Sequence, residues 1–259
     1  MKEKGEAAFD AWYADRFGGR WQGLRESLLA EPVSSFYSEG LVKPYRMDQA
    51  SVLAAMSLRL PKEGAILDAC AAPGGKSLVI SSRMGPDLRL LSNELSAERR
   101  RRLSNVLGEY LDETKRRRVT VSGFDAAVLG GRRSEQARFA AILLDAPCSS
   151  ERHVLKNAKA LTQWSPARPR SLCRRQWALL SSCFLLLKPG ASLVYSTCAL
   201  GDEENDGVVA RLFDKYGPEV LAEELDFTEG EKTRYGRLIL PDASGGMGPM
   251  YVARVLKLA

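Results

Sequence analysis

The stretch Leu67-Asp-Ala-Cys-Ala-Ala-Pro-Gly-Gly-Lys-Ser77 decides the fold that we expect of this chain. It continues the apolar run 65–69, which is typical of a buried strand, and it leads into a helical pattern near 76–84. Glycines between a strand and a helix let backbone N–H groups approach a ligand and present the positive end of the helix to it. The sequence therefore predicts a strand, a ligand-binding loop and a helix in this order.

The same alternation of apolar runs and helical patterns continues along the rest of the chain. It predicts an α/β fold, a doubly wound and mainly parallel Rossmann-like sheet. The further apolar runs lie at 88–92, 119–121, 139–144, 191–195 and 251–256, and the further helical patterns near 96–110, 171–187 and 203–215.

Outside this alternation, two regions have a different character. Residues 8–30 show aromatic side chains at helical spacing, and Asp48 is placed to cap a helix over Gln49–Leu60. We therefore expect a small helical N-terminal extension over 1–60, packed on a main domain over 61–259. The segment Ser149–Pro169 is long and irregular for a connection, which favours contact with the substrate.

Composition excludes several classes of protein. With 259 residues, of which 45% are hydrophobic, the chain can bury a substantial core. No apolar stretch approaches the roughly 18 residues of a membrane span, and the N-terminus lacks the apolar centre of a signal peptide. Five cysteines without a CxxC pair and a single histidine, His153, favour reduced thiols and no metal site. We expect a cytoplasmic, monomeric protein that contacts no membrane.

Positive charge is concentrated in the middle of the chain. Residues 99–175 carry eighteen basic and seven acidic side chains, whereas residues 201–259 carry seven basic and twelve acidic ones. An isolated basic cluster usually serves solubility, but this excess suits the phosphate backbone of a nucleic acid. The clusters are Arg99–Arg102, Lys115–Arg118, Arg132–Arg133 and the set Arg168, Arg170, Arg174 and Arg175.

Neither of two common nucleotide-binding motifs accounts for the glycine-rich loop. A P-loop requires glycine where this chain has Cys70, and the dinucleotide motif GxGxxG is absent. Acidic residues, however, follow successive predicted strands, and a carboxylate at a strand end can accept the ribose hydroxyls or the adenine amino group of a nucleoside. The loop together with Glu94, Asp125 and Asp145 predicts a site for S-adenosylmethionine.

Two cysteines occupy equivalent places at the ends of predicted strands. Cys148 ends the tetrad Asp145-Ala-Pro-Cys148 after the run 139–144, and Cys198 lies in Ser196-Thr-Cys-Ala199 after the run 191–195. Because open α/β sheets place their chemistry at strand carboxyl ends, both thiols are expected in one site. This pattern predicts an enzyme that uses two sulfur atoms.

The motifs resemble those of the Nop/Sun family of RNA cytosine-C5 methyltransferases. The segment Asp145–His153 is most similar to the branch that contains the mitochondrial small-subunit rRNA enzyme. The resemblance covers nearly the whole chain and rests on Tyr45–Ser51, Asp68–Lys76, Asp145–Cys148, Ser196–Cys198 and Gly248–Arg254.

This resemblance implies a role for each matching residue. It implies that Cys198 attacks carbon 6 of cytosine and that Cys148 helps to release the methylated product. Asp145 is expected to act at the cytosine N3, in a form that holds or shares a proton, with Lys76 keeping the carboxyl and the base in register. The family usually has aspartate where this chain has Glu94. The residues implied to hold S-adenosylmethionine are Cys70, Ala71, Ala72, Pro73, Gly74, Gly75, Lys76, Glu94, Arg99, Asp125 and Asp145.

Three functions remain open on the sequence alone. The first is methylation of rRNA, in single-stranded or distorted form because the base must leave its stack to reach a strand-end pocket. The second is methylation of tRNA; a DNA substrate is disfavoured because the motifs Pro-Cys-Gln and Glu-Asn-Val are absent. The third is a catalytically idle RNA-binding factor, against which the intact Cys148, Cys198, Lys76 and Asp145 argue.

Overall fold

The structure is a computed structural model and describes residues 4–258. The predicted extension starts at residue 1 and the predicted main domain ends at residue 259, so both predictions reach slightly outside the described residues. Within the extension, α3 starts where the sequence predicted, because Asp48 accepts a hydrogen bond from Ala50 N at 2.7 Å. The first elements are α1 (Glu6–Phe17), α2 (Trp21–Leu29), β1 (Ser34–Tyr37), β2 (Tyr45–Asp48) and α3 (Gln49–Met56).

The alternation of strands and helices is present where the sequence predicted it. Two short helices, α8 and α9, lie in the segment that was expected to be irregular. The elements are β3 (Gly64–Asp68), α4 (Gly75–Arg83), β4 (Leu88–Asn93), α5 (Ala97–Tyr110), α6 (Glu113–Arg116), β5 (Val119–Ser122), α7 (Ala126–Leu129), β6 (Phe139–Asp145), α8 (Glu151–Lys156), α9 (Ala158–Gln163), α10 (Ala167–Leu186), β7 (Leu187–Thr197), α11 (Asp206–Tyr216), β8 (Val220–Glu223), β9 (Glu231–Lys232), β10 (Gly236–Ile239) and β11 (Met250–Lys257).

The strands form a nine-stranded sheet in the order β5-β4-β3-β6-β7-β11-β10-β9, with β8 also paired to β11. The pairs among β3 to β7 are parallel, and β11 is antiparallel to β7. The predicted doubly wound, mainly parallel sheet is therefore confirmed. The register pairs Asp145 with Ser196, so the two cysteine tetrads leave neighbouring strands at the same edge.

The N-terminal helices are joined to the loops that follow the cysteine tetrads by a small apolar core. In it, Phe9 and Tyr13 of α1 are packed with Trp164 and with Leu200, which lies two residues after Cys198. The Phe9 and Trp164 rings meet edge to face with centroids 5.0 Å apart. The extension thus supports the edge of the sheet that carries the predicted chemistry.

The extension also contains an antiparallel hairpin, which the sequence analysis did not predict. Strand β1 pairs with β2, with Phe36 opposite Arg46 and Tyr37 opposite Tyr45. The alternation of side chains in such a short pair is easily missed, since each strand has only four residues. The inner face of the hairpin covers the glycine-rich loop, because Tyr45 and Met47 lie against Gly75.

Candidate active site

The carboxyl ends of the parallel strands enclose a cavity of about 660 Å³. Most of the residues predicted from the sequence lie on its wall, and they are Cys70, Ala72, Lys76, Glu94, Arg99, Asp125, Asp145, Cys148 and Cys198. An adjoining cleft of about 100 Å³ is lined by three further predicted residues, Ala71, Pro73 and Gly75. Of the predicted site residues, only Gly74 lines neither space.

Gly74 has a structural part in the loop between β3 and α4. Its φ of 125° lies in the region that favours glycine, and a Cβ there would lie 2.9 Å from a methyl group of Val106. The preceding Asp68 is fully buried and accepts a hydrogen bond from Ser77 at 2.6 Å. Burial raises the pKa of Asp68 to about 7. The buried hydrogen bond between Asp68 and Ser77 therefore ties the end of β3 to α4 on either side of the loop.

Glu94 lies on the cavity wall, and one of its carboxylate oxygens has no hydrogen-bond donor among residues 4–258. Its Oε1 accepts from Ser96 N at 2.9 Å. Its Oε2 is buried and unbonded, although the Arg99 guanidinium lies 3.2 Å away without hydrogen-bond geometry. Arg99 instead donates to the Ala72 carbonyl at 2.8 Å, which ties α5 to the loop. A buried acceptor left without a donor fits a ligand that brings hydroxyl groups.

Asp125 is held by a cation that we did not assign to the site from the sequence. Arg175 of α10 donates to both Asp125 carboxylate oxygens, at 2.5 and 3.1 Å. Asp125 also caps α7 by accepting from Ala127 N at 3.0 Å. The hydrogen bond from Arg175 lowers the pKa of Asp125. Arg175 lines the same cavity, so a second member of the predicted basic clusters, besides Arg99, belongs to the site.

Lys76 and Asp145 form an ion pair between the loop and the first cysteine tetrad. Their N–O distance is 2.7 Å, and Ser196 donates to the other Asp145 oxygen at 2.9 Å. Burial acts to lower the pKa of Lys76, but the charge and hydrogen bond of Asp145 outweigh it, so the pKa is raised. Lys76 therefore stays charged. Lys76 also lies close enough to Cys198 to interact with a charge on its sulfur.

The two cysteine sulfur atoms are in direct contact. Cys148 Sγ lies 2.8 Å from Cys198 Sγ and accepts from Cys198 N at 3.3 Å. The Ser150 hydroxyl lies 3.3 Å from Cys198 Sγ. The hydrogen bond with Cys198, together with burial, raises the pKa of Cys148 well above its usual value. The geometry thus keeps a proton on Cys148, next to Cys198.

The third cysteine of the cavity has a different environment. Burial is the main cause that raises the pKa of the Cys70 thiol well above its ordinary value. A thiol held neutral by apolar surroundings is a poor nucleophile. Cys148 and Cys198, by contrast, share the sulfur–sulfur contact, and Lys76 lies close to Cys198.

Several wall residues were not assigned to the site from the sequence alone. Ser51 lies in the segment Tyr45–Ser51 that carried the family resemblance, and its Oγ is 3.4 Å from Lys76 Nζ. Asn93 orders two strand ends through hydrogen bonds of 3.0 Å to Ala69 O and Phe124 O. The only signal for Asn93 was its place beside Glu94. The wall residues outside the predicted set include Ser51, Asn93, Phe124, Ser150, Arg175, Leu179 and Met250.

The predicted basic clusters divide into structural and solvent-facing members. Arg100, Arg116 and Arg118 donate to backbone carbonyls, and Arg117 is paired with Glu113. The members whose side chains are exposed without a hydrogen bond to another described residue are Arg101, Arg102, Arg132, Arg133, Arg170 and Arg174.

Residues 4–258 contain neither a metal site nor a membrane-spanning helix. No group of three or more His, Cys, Asp or Glu side chains in this range is arranged to hold a metal ion. Among the helices in the same range, none has the length and apolar character needed to cross a membrane.

A comparison with known families decides which family this chain represents. The family described as 16S rRNA methyltransferase RsmB/F matches residues 55–256. The chain belongs to this family. The relationship that the sequence motifs predicted is therefore confirmed, and the matched residues include every residue of the cavity wall except Ser51.

The chain is also similar to individual rRNA methyltransferases. The chain is 32% identical over 244 residues to the 5-cytosine rRNA methyltransferase NSUN4 of Bos taurus, covering 88% of this chain and 63% of that protein. It is 40% identical over 174 residues to the ribosomal RNA small subunit methyltransferase F of Klebsiella pneumoniae, covering 66% of this chain and 35% of that protein. The chain thus spans between about a third and two thirds of the length of these relatives.

A solved structure agrees with the sheet described above. The crystal structure of NSun6 from Pyrococcus horikoshii with SFG superposes with a TM-score of 0.71 at 24% identity, covering 86% of this chain and 54% of that one. This similarity shows that the two chains share a fold.

Proposed function

We propose that this chain is an S-adenosylmethionine-dependent rRNA cytosine-C5 methyltransferase, with Cys198 as nucleophile and Cys148 as the group that resolves the covalent adduct. One observation carries the proposal: two sulfur atoms 2.8 Å apart on the wall of a cavity that also contains the residues for a nucleoside-bearing donor. Membership of the RsmB/F family and the similarity to two rRNA methyltransferases support rRNA as the substrate.

The residues present fit S-adenosylmethionine. The unbonded Oε2 of Glu94 is the acceptor that we assign to a ribose hydroxyl, and Cys70 and Ala72 of the loop lie on the wall of the same cavity. Asp125 and Phe124 lie on the wall of the cavity where an adenine would bind. The NSun6 structure contains SFG, which is an analogue of S-adenosylmethionine. When bound, S-adenosylmethionine supplies a methyl group on a positively charged sulfur.

The first step assigned to this chain is the attack of Cys198. Its sulfur forms a bond to carbon 6 of cytosine, and the electron pair of the ring double bond moves onto carbon 5, which becomes nucleophilic. Lys76 favours a negative Cys198 sulfur through its charge, and the Cys148 thiol can donate to it. The sequence offered no histidine for this task. A lysine and a second thiol take its place.

A hydrogen bond or a proton at the cytosine N3 favours this addition, because it draws electron density away from carbon 6. We assign this role to the Lys76–Asp145 pair, which is joined by a hydrogen bond of 2.7 Å. Ser196 holds the other oxygen of Asp145, so the carboxyl has a fixed orientation toward the cavity. The prediction that Asp145 shares a proton is part of this proposal.

Cys148 is assigned to the release of the product. The carbon 5 proton must leave before the Cys198 bond can break, and Cys148 accepts it directly or through a water molecule. In the free enzyme, contact with Cys198 is the main cause that raises the pKa of Cys148. Once Cys198 is bonded to carbon, that cause is removed and the pKa of Cys148 falls, so the thiol can release its own proton to solvent and the resulting thiolate can accept the carbon 5 proton.

The proposed activity is tested with labelled S-adenosylmethionine and unmodified small-subunit rRNA, offered naked and as the assembled subunit, with tRNA in parallel. The expected result is label in rRNA only, recovered as 5-methylcytidine after digestion and mass spectrometry. Label in tRNA alone would favour the tRNA enzyme instead. An absence of methyl transfer to every RNA would favour the idle binding factor.

The role of Glu94 gives a separate prediction on donor binding. Glu94→Ala is expected to weaken the binding of S-adenosylmethionine about tenfold or more, since a hydrogen bond to a charged group contributes about 1.5–3 kcal/mol. Calorimetric titration measures the dissociation constant. Glu98→Ala, an exposed acidic residue on α5, is the control for the lost charge. An unchanged affinity in Glu94→Ala would contradict the assignment, whereas Glu94→Asp should retain most of the binding.

A further inference from the structure

Two buried carboxyl groups lie behind the cysteine pair and have no place in the mechanism above. Glu151 begins α8, just after the Cys148 tetrad, and Glu204 lies in the turn before α11, just after the Cys198 tetrad. Both side chains are fully buried. Burial of two acidic groups is costly unless they are neutralised or hydrogen-bonded, so their partners decide their state.

The Ser149 hydroxyl contacts both carboxyl groups at hydrogen-bond distance, Oε1 of Glu151 on one side and Oε1 of Glu204 on the other. A hydroxyl has a single proton and can donate to only one of them. The second contact is a hydrogen bond only if that carboxyl carries a proton and donates to Ser149 Oγ. The geometry therefore requires one proton on the pair of glutamates.

The remaining partners determine which carboxyl is protonated. Tyr13 donates to Glu151 Oε1 at 2.5 Å, and Leu200 N donates to Glu151 Oε2 at 3.3 Å. Both oxygens of Glu151 thus face donors. Glu204 Oε2 accepts from Ser149 N at 3.0 Å and from Gln176 at 2.7 Å, which leaves only Oε1 to hold a proton. The order of donation is Glu204 to Ser149 to Glu151.

The electrostatic surroundings agree with this assignment. Burial, followed by the charge of Glu151, raises the pKa of Glu204 to about 7, and burial also raises the pKa of Glu151, so the donors around each carboxyl decide where the proton lies. The other titratable groups facing the pair are Tyr13 from α1, Tyr195 from β7 and Cys148, all of which have raised pKa values and stay neutral. The guanidinium of Arg168 donates to the Ser149 carbonyl rather than to either carboxyl. The shared proton is what limits the charge of the cluster.

We propose that Glu204, Ser149 and Glu151 form a proton-sharing clamp that fixes the separation of Cys148 and Cys198. Glu204 holds the backbone N–H that follows Cys148, and Glu151 holds Leu200 N, two residues after Cys198. Gln176 adds a hydrogen bond of 3.0 Å to Pro147 O. The two glutamates are positioning residues. The arrangement of their hydrogen bonds is independent of the proposed function, whereas their expected effect on catalysis rests on it.

The clamp should depend on pH in a defined direction. It is complete while Glu204 is protonated. As the pH rises through the pKa of Glu204, the proton is lost, two carboxylates face each other across Ser149, and the hydrogen bond from Glu204 disappears. Activity and the close contact of the sulfurs are therefore expected to decline above neutral pH.

Two matched substitutions test the assigned positions of the proton. In Glu204→Gln, the amide N–H₂ replaces the proton donor and the amide oxygen replaces the acceptor, so the clamp persists without titrating. In Glu151→Gln, by contrast, the amide N–H₂ faces another hydrogen-bond donor in either orientation of the side chain, because both oxygens of Glu151 accept hydrogen bonds. At pH 7, kcat should stay within about twofold for Glu204→Gln and fall about tenfold or more for Glu151→Gln, with KM for RNA little changed in both. Glu203→Gln, at the partly exposed neighbouring position, is the control.

The dependence of kcat on pH distinguishes the proposed role of Glu204 from a purely structural one, because a purely structural role would leave this dependence unchanged. In the wild type, kcat should decrease as the pH rises through the pKa of Glu204, which is about 7. In Glu204→Gln this decrease should be absent. The opposite pattern, with Glu151→Gln active and Glu204→Gln impaired, would overturn the proposal. Identical pH profiles of Glu204→Gln and the wild type would do so as well.

An infrared measurement tests the clamp without any methylation assay, so its failure is distinguishable from failure of the proposed function. The wild type minus Glu204→Gln difference spectrum should contain the C=O band of a protonated carboxyl that disappears with a midpoint near pH 7. Taking the difference removes Asp68, whose pKa is also raised to about 7. Absence of the band at pH 6 would contradict a proton on Glu204.

Discussion

The Cys198→Ala variant is expected to make no 5-methylcytidine, a loss of at least about a thousandfold relative to the wild type. Without its sulfur, no bond to carbon 6 can form and carbon 5 of cytosine stays a poor nucleophile. The measurement is the initial rate of label transfer to rRNA, followed by nucleoside analysis. Binding of S-adenosylmethionine should stay within about twofold, because the donor contacts assigned above lie on other strands.

Cys173→Ala is the matched control for this experiment. Cys173 is another free thiol, on α10, and its sulfur donates to Arg170 O rather than lining the cavity. This variant should retain wild-type activity. If Cys198→Ala kept its activity as well, Cys198 would not be the nucleophile and the proposed chemistry would be wrong.

The Cys148→Ala variant is expected to trap the reaction after methyl transfer. Cys198 can still attack, but the base that removes the carbon 5 proton is missing, so the protein stays bonded to the RNA. A protein–RNA species that survives denaturing electrophoresis should therefore build up, with turnover reduced on the order of a hundredfold or more. The double variant Cys148→Ala, Cys198→Ala should form none.

Cys148→Ser separates lost chemistry from lost structure. Cys148 Sγ accepts from Cys198 N, and a serine oxygen can accept the same hydrogen bond. A serine hydroxyl is nevertheless a far weaker acid than a thiol and does not replace the proton acceptor. Cys148→Ser should therefore accumulate the same adduct. If neither variant accumulated an adduct while both turned over normally, Cys148 would have no part in product release.

The sequence was sufficient to predict the sheet and the residues at its carboxyl edge. Apolar runs bounded by glycines or polar residues mark β3 and its neighbours, because strands buried on both faces are apolar throughout. Once the strand order is parallel, the ends of successive strands must meet. For this reason the sequence pattern alone assigns Glu94, Asp125, Cys148 and Cys198 to one site.

The local sequence pattern did not predict the elements that depend on strand pairing or on packing between distant residues. The hairpin of β1 and β2 consists of two four-residue strands, too short for a clear period. Helices α8 and α9 lie in a segment whose sequence predicts an irregular connection, and they form because Val154, Leu155 and Trp164 pack against the N-terminal helices. Such tertiary contacts outweigh weak local propensity.

The clamp behind the cysteines also depends on contacts between distant residues. Tyr13 and Glu151 are 138 positions apart, and Ser149 and Glu204 are 55 apart. In sequence, Glu204 is one of three successive acidic residues at the start of a helix, which is typical of a solvated helix N-terminus. Only its burial distinguishes it from Glu203. The same holds for Arg175, which the sequence placed in a basic cluster and the structure places beside Asp125.

The central claim is that Cys198 attacks and Cys148 releases, and the adduct of Cys148→Ala tests it most directly. The adduct is digested with ribonuclease and protease, and the peptides are analysed by tandem mass spectrometry. We predict a methylated cytidine nucleotide bonded to the peptide that contains Cys198. Attachment to Cys70 or any other residue, or an adduct whose cytidine lacks the methyl group, would contradict the account.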